Sequence, residues 1–139
     1  MVAGIALAQD NLFRHVETAK EIGGFSFRAP LYDYLEQLSP VKVEDGGNIE
    51  AKVKGNLDAF SVGTEVPERV HLIAEKWGIS MALLWFSRDA GERLMGLLCQ
   101  FLGAPNLQEG ACFWDTGYFV VCYNVDNPEE PNIIICPKF

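Results

Sequence analysis

Glu68, His71 and Glu75 are the residues whose types and spacing first point to chemistry. On a helix they would stand at i, i+3 and i+7 and share one face. Di-iron bundles draw Glu-x-x-His ligands from such a face, but use two copies with further carboxylates. The only other histidine is His15, and there is no second Glu-x-x-His. The three side chains therefore read as a solvated face, alongside Glu65 and Lys76. The four cysteines, Cys99, Cys112, Cys122 and Cys136, form no Cys-x-x-Cys pair, so a closed zinc site is not expected. No metal and no other cofactor is expected.

A thiol nucleophile needs a base or a positive neighbour and some exposure. Cys112 or Cys122 could meet His71 in space. Cys122 stands among Val120, Val121 and Tyr123 and reads as buried; Cys112, close to Glu109 and Gly110, has the better access. Each cysteine lies in an apolar run, where cysteine behaves as a small buried hydrophobe. Four free thiols are expected, which fits a reducing, cytoplasmic location. There is no glycosylation sequon.

Asp115-Thr116-Gly117, behind Phe113-Trp114, resembles the catalytic loop of aspartic proteases, in which two such aspartates share a proton. In that family the triplet comes early, whereas only 22 residues follow Gly117 here. Asp and Gly are also ordinary residues of a tight turn, and the turn is the reading adopted. No glycine-rich phosphate loop and no basic patch is present. No catalytic residue is assigned.

Two features remain as candidate binding sites. Trp85, Phe113, Trp114, Tyr118, Phe119 and Tyr123 gather on what should be neighbouring strands. Trp and Tyr join large apolar area to a polar tip, which suits a pocket or an interface. Trp85, Trp114, Tyr118 and Tyr123 are the candidates for holding a small apolar or aromatic ligand. Asp126, Glu129 and Glu130 form an acidic, proline-bounded loop that would face a basic protein partner.

The elements that must position these residues follow from periodicity. Asp10–Ile22 has a helical stripe of Leu12, Phe13, Val16, Ala19 and Ile22, stopped by Gly23-Gly24. A short helix is expected from Pro30 to Leu38, since Pro suits a first helical turn. Val41–Lys54 alternates about Asp45-Gly46-Gly47-Asn48, which is a hairpin with one wet face. A third strand is expected near Leu57–Val62. Thr64–Trp77 carries the stripe Val66, Val70, Ile73 and Trp77, and reads as a helix. Ile79–Phe86 reads as a buried strand. Asp89–Leu102 reads as a helix with Asp89 and Glu92 at capping-box spacing and Gly103 at its end. The tail is β: 111–114, 118–125 and 133–136.

The runs Ile79–Phe86, Phe119–Tyr123 and Ile133–Cys136 are apolar on both faces, so both faces must be covered. The helices could do this within one chain, or a second subunit could, which makes a homodimer through sheet or aromatic surface an expectation. The fold class expected is α+β over one domain, 1–139: a mainly antiparallel sheet of five to six strands flanked by about four helices.

Length and charge exclude several functions. The chain has 139 residues, 49% of them hydrophobic, with 11 basic against 19 acidic residues and a net charge of -8. That composition supports one hydrophobic core and not a disordered chain. Such a charge is repelled by phosphate backbones and anionic lipid, so no nucleic-acid and no membrane partner is expected. No apolar run reaches a membrane span. Met1–Ala8 ends in Ala6-Leu7-Ala8, as at a signal-peptidase site, but is short and lacks a preceding basic residue; it reads as a first element or frayed end. The functional expectation is a small acidic, non-enzymatic interaction protein, of the inhibitor, immunity or antitoxin kind. The alternative is a small-molecule-binding domain or small enzyme with an aromatic-lined pocket.

Overall fold

A computed structural model describes residues 12–43, 46–76 and 78–138. The readings placed on Met1–Ala8, Asp10, Asp45 and Trp77 lie outside the described residues. Within them the class is α+β, with a larger sheet and fewer helices than expected. Eight strands form one antiparallel sheet in the order β3-β4-β5-β6-β10-β9-β8-β7. They are β3 (Leu38–Val43), β4 (Ile49–Val53), β5 (Arg69–Glu75), β6 (Gly78–Trp85), β7 (Asn106–Gln108), β8 (Ala111–Asp115), β9 (Phe119–Asn124) and β10 (Asn132–Pro137). Two meanders, β3 to β6 and β7 to β10, lie side by side and are joined where β10 pairs with β6, Ile134 opposite Leu83. A two-residue hairpin, β1 (Glu21–Ile22) and β2 (Phe25–Ser26), stands apart.

Among the described residues there are two α-helices, α1 (Leu12–Ala19) and α2 (Gly91–Leu102), and three short 3₁₀ segments. The helix expected over 64–77 is instead strand β5. Val70, Leu72 and Ala74 are buried and alternate with Arg69 and Ile73. The sequence Arg-Val-His-Leu-Ile-Ala-Glu therefore satisfied a period of two as well as a helical stripe, and pairing with β4 and β6 on either side decided between them. The 30–38 helix is a 3₁₀ segment, Leu31–Gln37, broken at Tyr34, with Leu38 already in β3. The strand expected near 57–62 is a 3₁₀ turn, Asp58–Phe60. Helix α1 ends at Ala19 because Lys20 turns to positive φ; Ile22 is in β1, and Gly23-Gly24 form its hairpin turn. Asp89 does not cap α2: it accepts a hydrogen bond from Ser87 Oγ at 2.6 Å, and Ala90 holds the N-cap position.

Both helices pack on one face of the sheet. Phe13 of α1 stacks on Phe119 at 5.9 Å and lies 6.4 Å from Phe101 of α2. Tyr123 donates to Gly91 O, and Trp114 Nε1 donates to Gly103 O at 2.9 Å, tying β9 and β8 to the two ends of α2. Leu72, Leu84, Val121, Ile133 and Ile135 are fully buried beneath this layer with Leu94 and Leu98 of α2. Each such side chain contributes roughly 1.5–3 kcal/mol of burial. The layer is fastened at one corner by Gly78, whose φ is +118°. Arg28 and Ala29 exchange backbone hydrogen bonds with Ile79 there, at 2.8 and 2.9 Å, and a Cβ on Gly78 would fall inside contact distance of the Arg28 carbonyl.

Candidate functional site

The other face of the sheet is formed by the alternate residues of the same strands. Register pairs Ile73 with Met81 across β5 and β6, and Cys136 with Val120 across β10 and β9. His71, Leu83, Ile134, Cys122 and Phe113 form one cross-strand row. Arg69, Trp85 and Asn132 begin another. Except for His71 these side chains are only partly buried, and none belongs to the cluster formed with the helices. An antiparallel sheet with one wet face normally carries polar residues there. Here the centre of the open face is apolar and charge is confined to its margins: Lys42, Lys52, Arg69 and Lys138 against Glu50, Glu75 and Asp115, hence +1.

One polar group sits within that apolar field. His71, 8% exposed, has Nδ1 2.5 Å from Glu50 Oε2 across the β4–β5 pair. Its ring meets Trp85 edge-on at 4.7 Å, and the Arg69 guanidinium lies over the same indole at 4.1 Å. The carboxylate fixes the imidazole's orientation, as in a catalytic dyad. Among the described residues the hydrogen-bond partner of the His71 imidazole is Glu50. The Glu68, His71, Glu75 face does not form, because β5 is a strand and Glu68 precedes it. Among the described residues no three His, Cys, Asp or Glu side chains gather as metal ligands.

The two cysteine candidates part company. Cys112 is buried on the helix side of β8, on the opposite face from His71. Cys122 shares the row of His71 but is separated by β6 and β10, about 14 Å at ordinary strand spacing. Burial raises the pKa of the Cys122 and Cys136 thiols, the reverse of activation. All four cysteines are unpaired. Asp115-Thr116-Gly117 is a turn: Asp115 Oδ1 accepts the Gly117 N–H at 2.9 Å and Oδ2 accepts Lys138 Nζ at 2.7 Å. These donors, Lys138 first, hold the Asp115 carboxyl below its ordinary pKa.

The four aromatic candidates do not line one cavity. Trp114 and Tyr123 are buried on the helix side; Trp85 is on the open face; Tyr118 is exposed at the β8–β9 turn, with Lys20 Nζ 5.6 Å from its ring centre. A different apolar groove, of about 390 Å³, lies between the Leu31–Gln37 segment and β3, β4 and β5, lined by Leu31, Leu38, Val43, Ile49 and Ala51. Tyr32, Leu35 and Val43 are exposed along it.

The acidic candidates are brought together with others. Where β5 begins and β6 ends, the connections 64–68, 86–93, 109–110 and 125–131 converge. Together with the first turn of α2 they carry Glu65, Glu68, Asp89, Glu92, Glu109, Asp126, Glu129 and Glu130 against Arg88 and Arg93, so eight acids face two bases: -6 of the chain's -8, with Arg69 at the start of β5 counted on the open face. Glu68, Glu129 and Glu130 line a cleft walled by Trp85, Arg69 and Arg88. The loop is held by Phe86 N–H to Pro131 O at 2.8 Å and Asn132 Nδ2 to Glu130 O at 2.9 Å. Arg88 and Glu129 form an exposed ion pair at 3.3 Å. The sequence shows the Asp126–Glu130 loop, but Glu68 joins it only because β5 is a strand. The Glu50–His71 pair was hidden for the same reason.

No protein-family model matches the chain, no curated protein is significantly similar to it, and no solved structure matches it. No described helix is long and apolar enough to cross a membrane.

Proposed function

We propose that this chain is a non-catalytic interaction protein that binds a basic protein partner through the acidic end of its sheet. The observation that carries the reading is the convergence of eight acidic side chains on that end, with Glu68, Glu129 and Glu130 lining a cleft beside Trp85. A concentration of one sign of charge steers an opposite partner and speeds its encounter. Trp85, already stacked by Arg69, offers a flat apolar wall on which a partner's arginine or lysine stem can rest. The four unpaired thiols accord with a reducing, cytoplasmic setting.

Titration calorimetry with an arginine-rich peptide, and with its citrulline counterpart, tests the reading. The expected result is salt-sensitive binding of the charged peptide alone. Joint substitution Glu68→Gln, Glu129→Gln and Glu130→Gln should weaken it at least tenfold, whereas Glu17→Gln, Asp33→Asn and Glu75→Gln should leave it within about twofold. Equal losses from the two sets would reduce the effect to net charge and sink the proposal.

The 390 Å³ groove supports a second reading, a domain that takes a small apolar ligand. A solvatochromic apolar probe should then bind one to one and be excluded by Ala51→Leu. Binding that survives Ala51→Leu would remove this reading.

A further inference from the structure

We propose that a second copy of this chain packs face to face on the open side of the sheet, making a homodimer whose core is Ile73, Met81, Leu83, Ile134, Val120 and Phe113. This face adjoins the acidic end at Trp85 and Arg69, but none of its core residues lines the acidic cleft. The first ground is the covering layer. Both described helices, and the Trp114 and Tyr123 hydrogen bonds that hold α2, serve one face, while the apolar centre of the other faces no described element.

The second ground is area. Eight strands, about 4.8 Å apart and about five residues long, present on the order of 38 Å by 17 Å, or roughly 650 Å² in flat projection. Side-chain relief raises the accessible area above the projection. A standard stable interface takes about 800 Å² from each partner, so the whole face, charged margins included, approaches the size that a dimer needs. Two sheets packed in this way lie about 10 Å apart with their side chains interdigitated.

The third ground is charge. The chain carries -8, yet the margins of this face sum to +1. Packing two copies through this face therefore brings no concentration of acidic side chains together, although the two chains as wholes carry the same sign. The Glu50–His71 pair, of which only the imidazole is buried, satisfies itself within one chain and asks nothing of the partner.

Sedimentation equilibrium from 1 to 200 µM, with thiol alkylation followed by mass spectrometry, tests the proposal. The expected particle has twice the 15.4 kDa chain mass. Cys122 and Cys136 lie in the interface, so their alkylation should slow at least fivefold as concentration rises, while Cys99 of α2 keeps its rate. Leu83→Lys and, separately, Ile134→Lys should give monomers whose circular dichroism matches the parent and whose two thiols react at the dilute rate. A 15.4 kDa particle at every concentration overturns the proposal. So does a dimer that either lysine variant leaves intact while folded. A monomer with Cys122 and Cys136 protected at all concentrations also overturns it, because the face is then covered within the chain. Leu83 and Ile134 do not line the acidic cleft, so peptide titration of the two lysine variants reads the acidic end separately.

Discussion

Leu83 and Leu84 are neighbours on one strand and Ile133 and Ile134 on another, yet within each pair one side chain is fully buried and the other only partly. The two faces of the sheet share a backbone, a register and nearly the same residue types. They differ in what lies on them: α1 and α2 on one side, no described element on the other. Burial in this protein is decided by the covering layer and not by the strand sequence. An apolar strand face is thus a demand for a layer, and only one of the two demands is met among the described residues.

The sharpest contrast to break is the one within β6. Leu84→Ala should cost about 2–5 kcal/mol in urea unfolding, the range for emptying a closed core. Leu83→Ala should cost less than about 1 kcal/mol in dilute protein, since its site opens to solvent and leaves no cavity. Similar losses would mean that the two faces are equally covered. Next in size is Gly78→Ala, which sits where the Arg28–Ala29 segment crosses the end of β6. The positive φ alone costs about 1–3 kcal/mol in an L residue, and the carbonyl of Arg28 must also move. A melting temperature unchanged by this substitution would show that the fastening is not needed.

Most of the sheet was legible in the sequence. The runs at 79–86, 118–125 and 133–136 became β6, β9 and β10 because apolar, β-branched stretches bounded by turns leave few alternatives. The β3–β4 hairpin also came through. One element, β5, was lost: in 64–77 the residues Val66, Val70 and Ile73 fit a helical stripe while Val70, Leu72 and Ala74 fit a strand. Nothing local separates these, since pairing with β4 and β6 supplies the difference. That misreading hid Glu50–His71 and put Glu68 on the wrong element. The aromatic set failed differently. Trp114 and Tyr123 were expected beside Trp85, but strand alternation sends them to the opposite face, and register is a property of pairs of strands.

Tryptophan offers a finer test of the two faces. Trp114 is 3% exposed and gives its N–H to Gly103 O, whereas Trp85 stands on the open side. Trp114→Phe should cost about 1 kcal/mol or more, from a lost hydrogen bond and lost volume. In a Trp77→Phe background, which leaves only these two indoles, Trp85→Phe should cost less and remove the redder, more quenchable part of the emission. Quenching of both indoles to the same extent would contradict their placement.

The smallest effect concerns the acid limb of stability. Arg93 grips Glu65 through Nε and Nη2, at 3.1 and 3.0 Å, and this hydrogen bonding holds the Glu65 carboxyl below its ordinary pKa. The pair therefore stabilises the fold above the ordinary carboxylate range and loses that contribution as pH falls through the lowered value. Glu65→Gln should cost up to about 1 kcal/mol at pH 7 and nearly nothing at pH 2–3. A penalty that stays constant down to pH 2–3 would assign the loss to packing.

The joint between the two meanders has a consequence for how the chain reaches this fold. Trp85 pairs with Asn132 and Ala82 with Ile135, so the seam is closed by contacts between distant parts of the sequence. Each meander can form from neighbouring hairpins, but the β6 side of the first remains a raw edge until β10 arrives. Unpaired N–H and C=O groups then line an apolar strand, Ile-Ser-Met-Ala-Leu-Leu-Trp, which is a template for any other extended segment. The half-assembled molecule, more than the finished one, is where this protein is prone to aggregate, and the speed with which β10 docks sets how long that edge stays open.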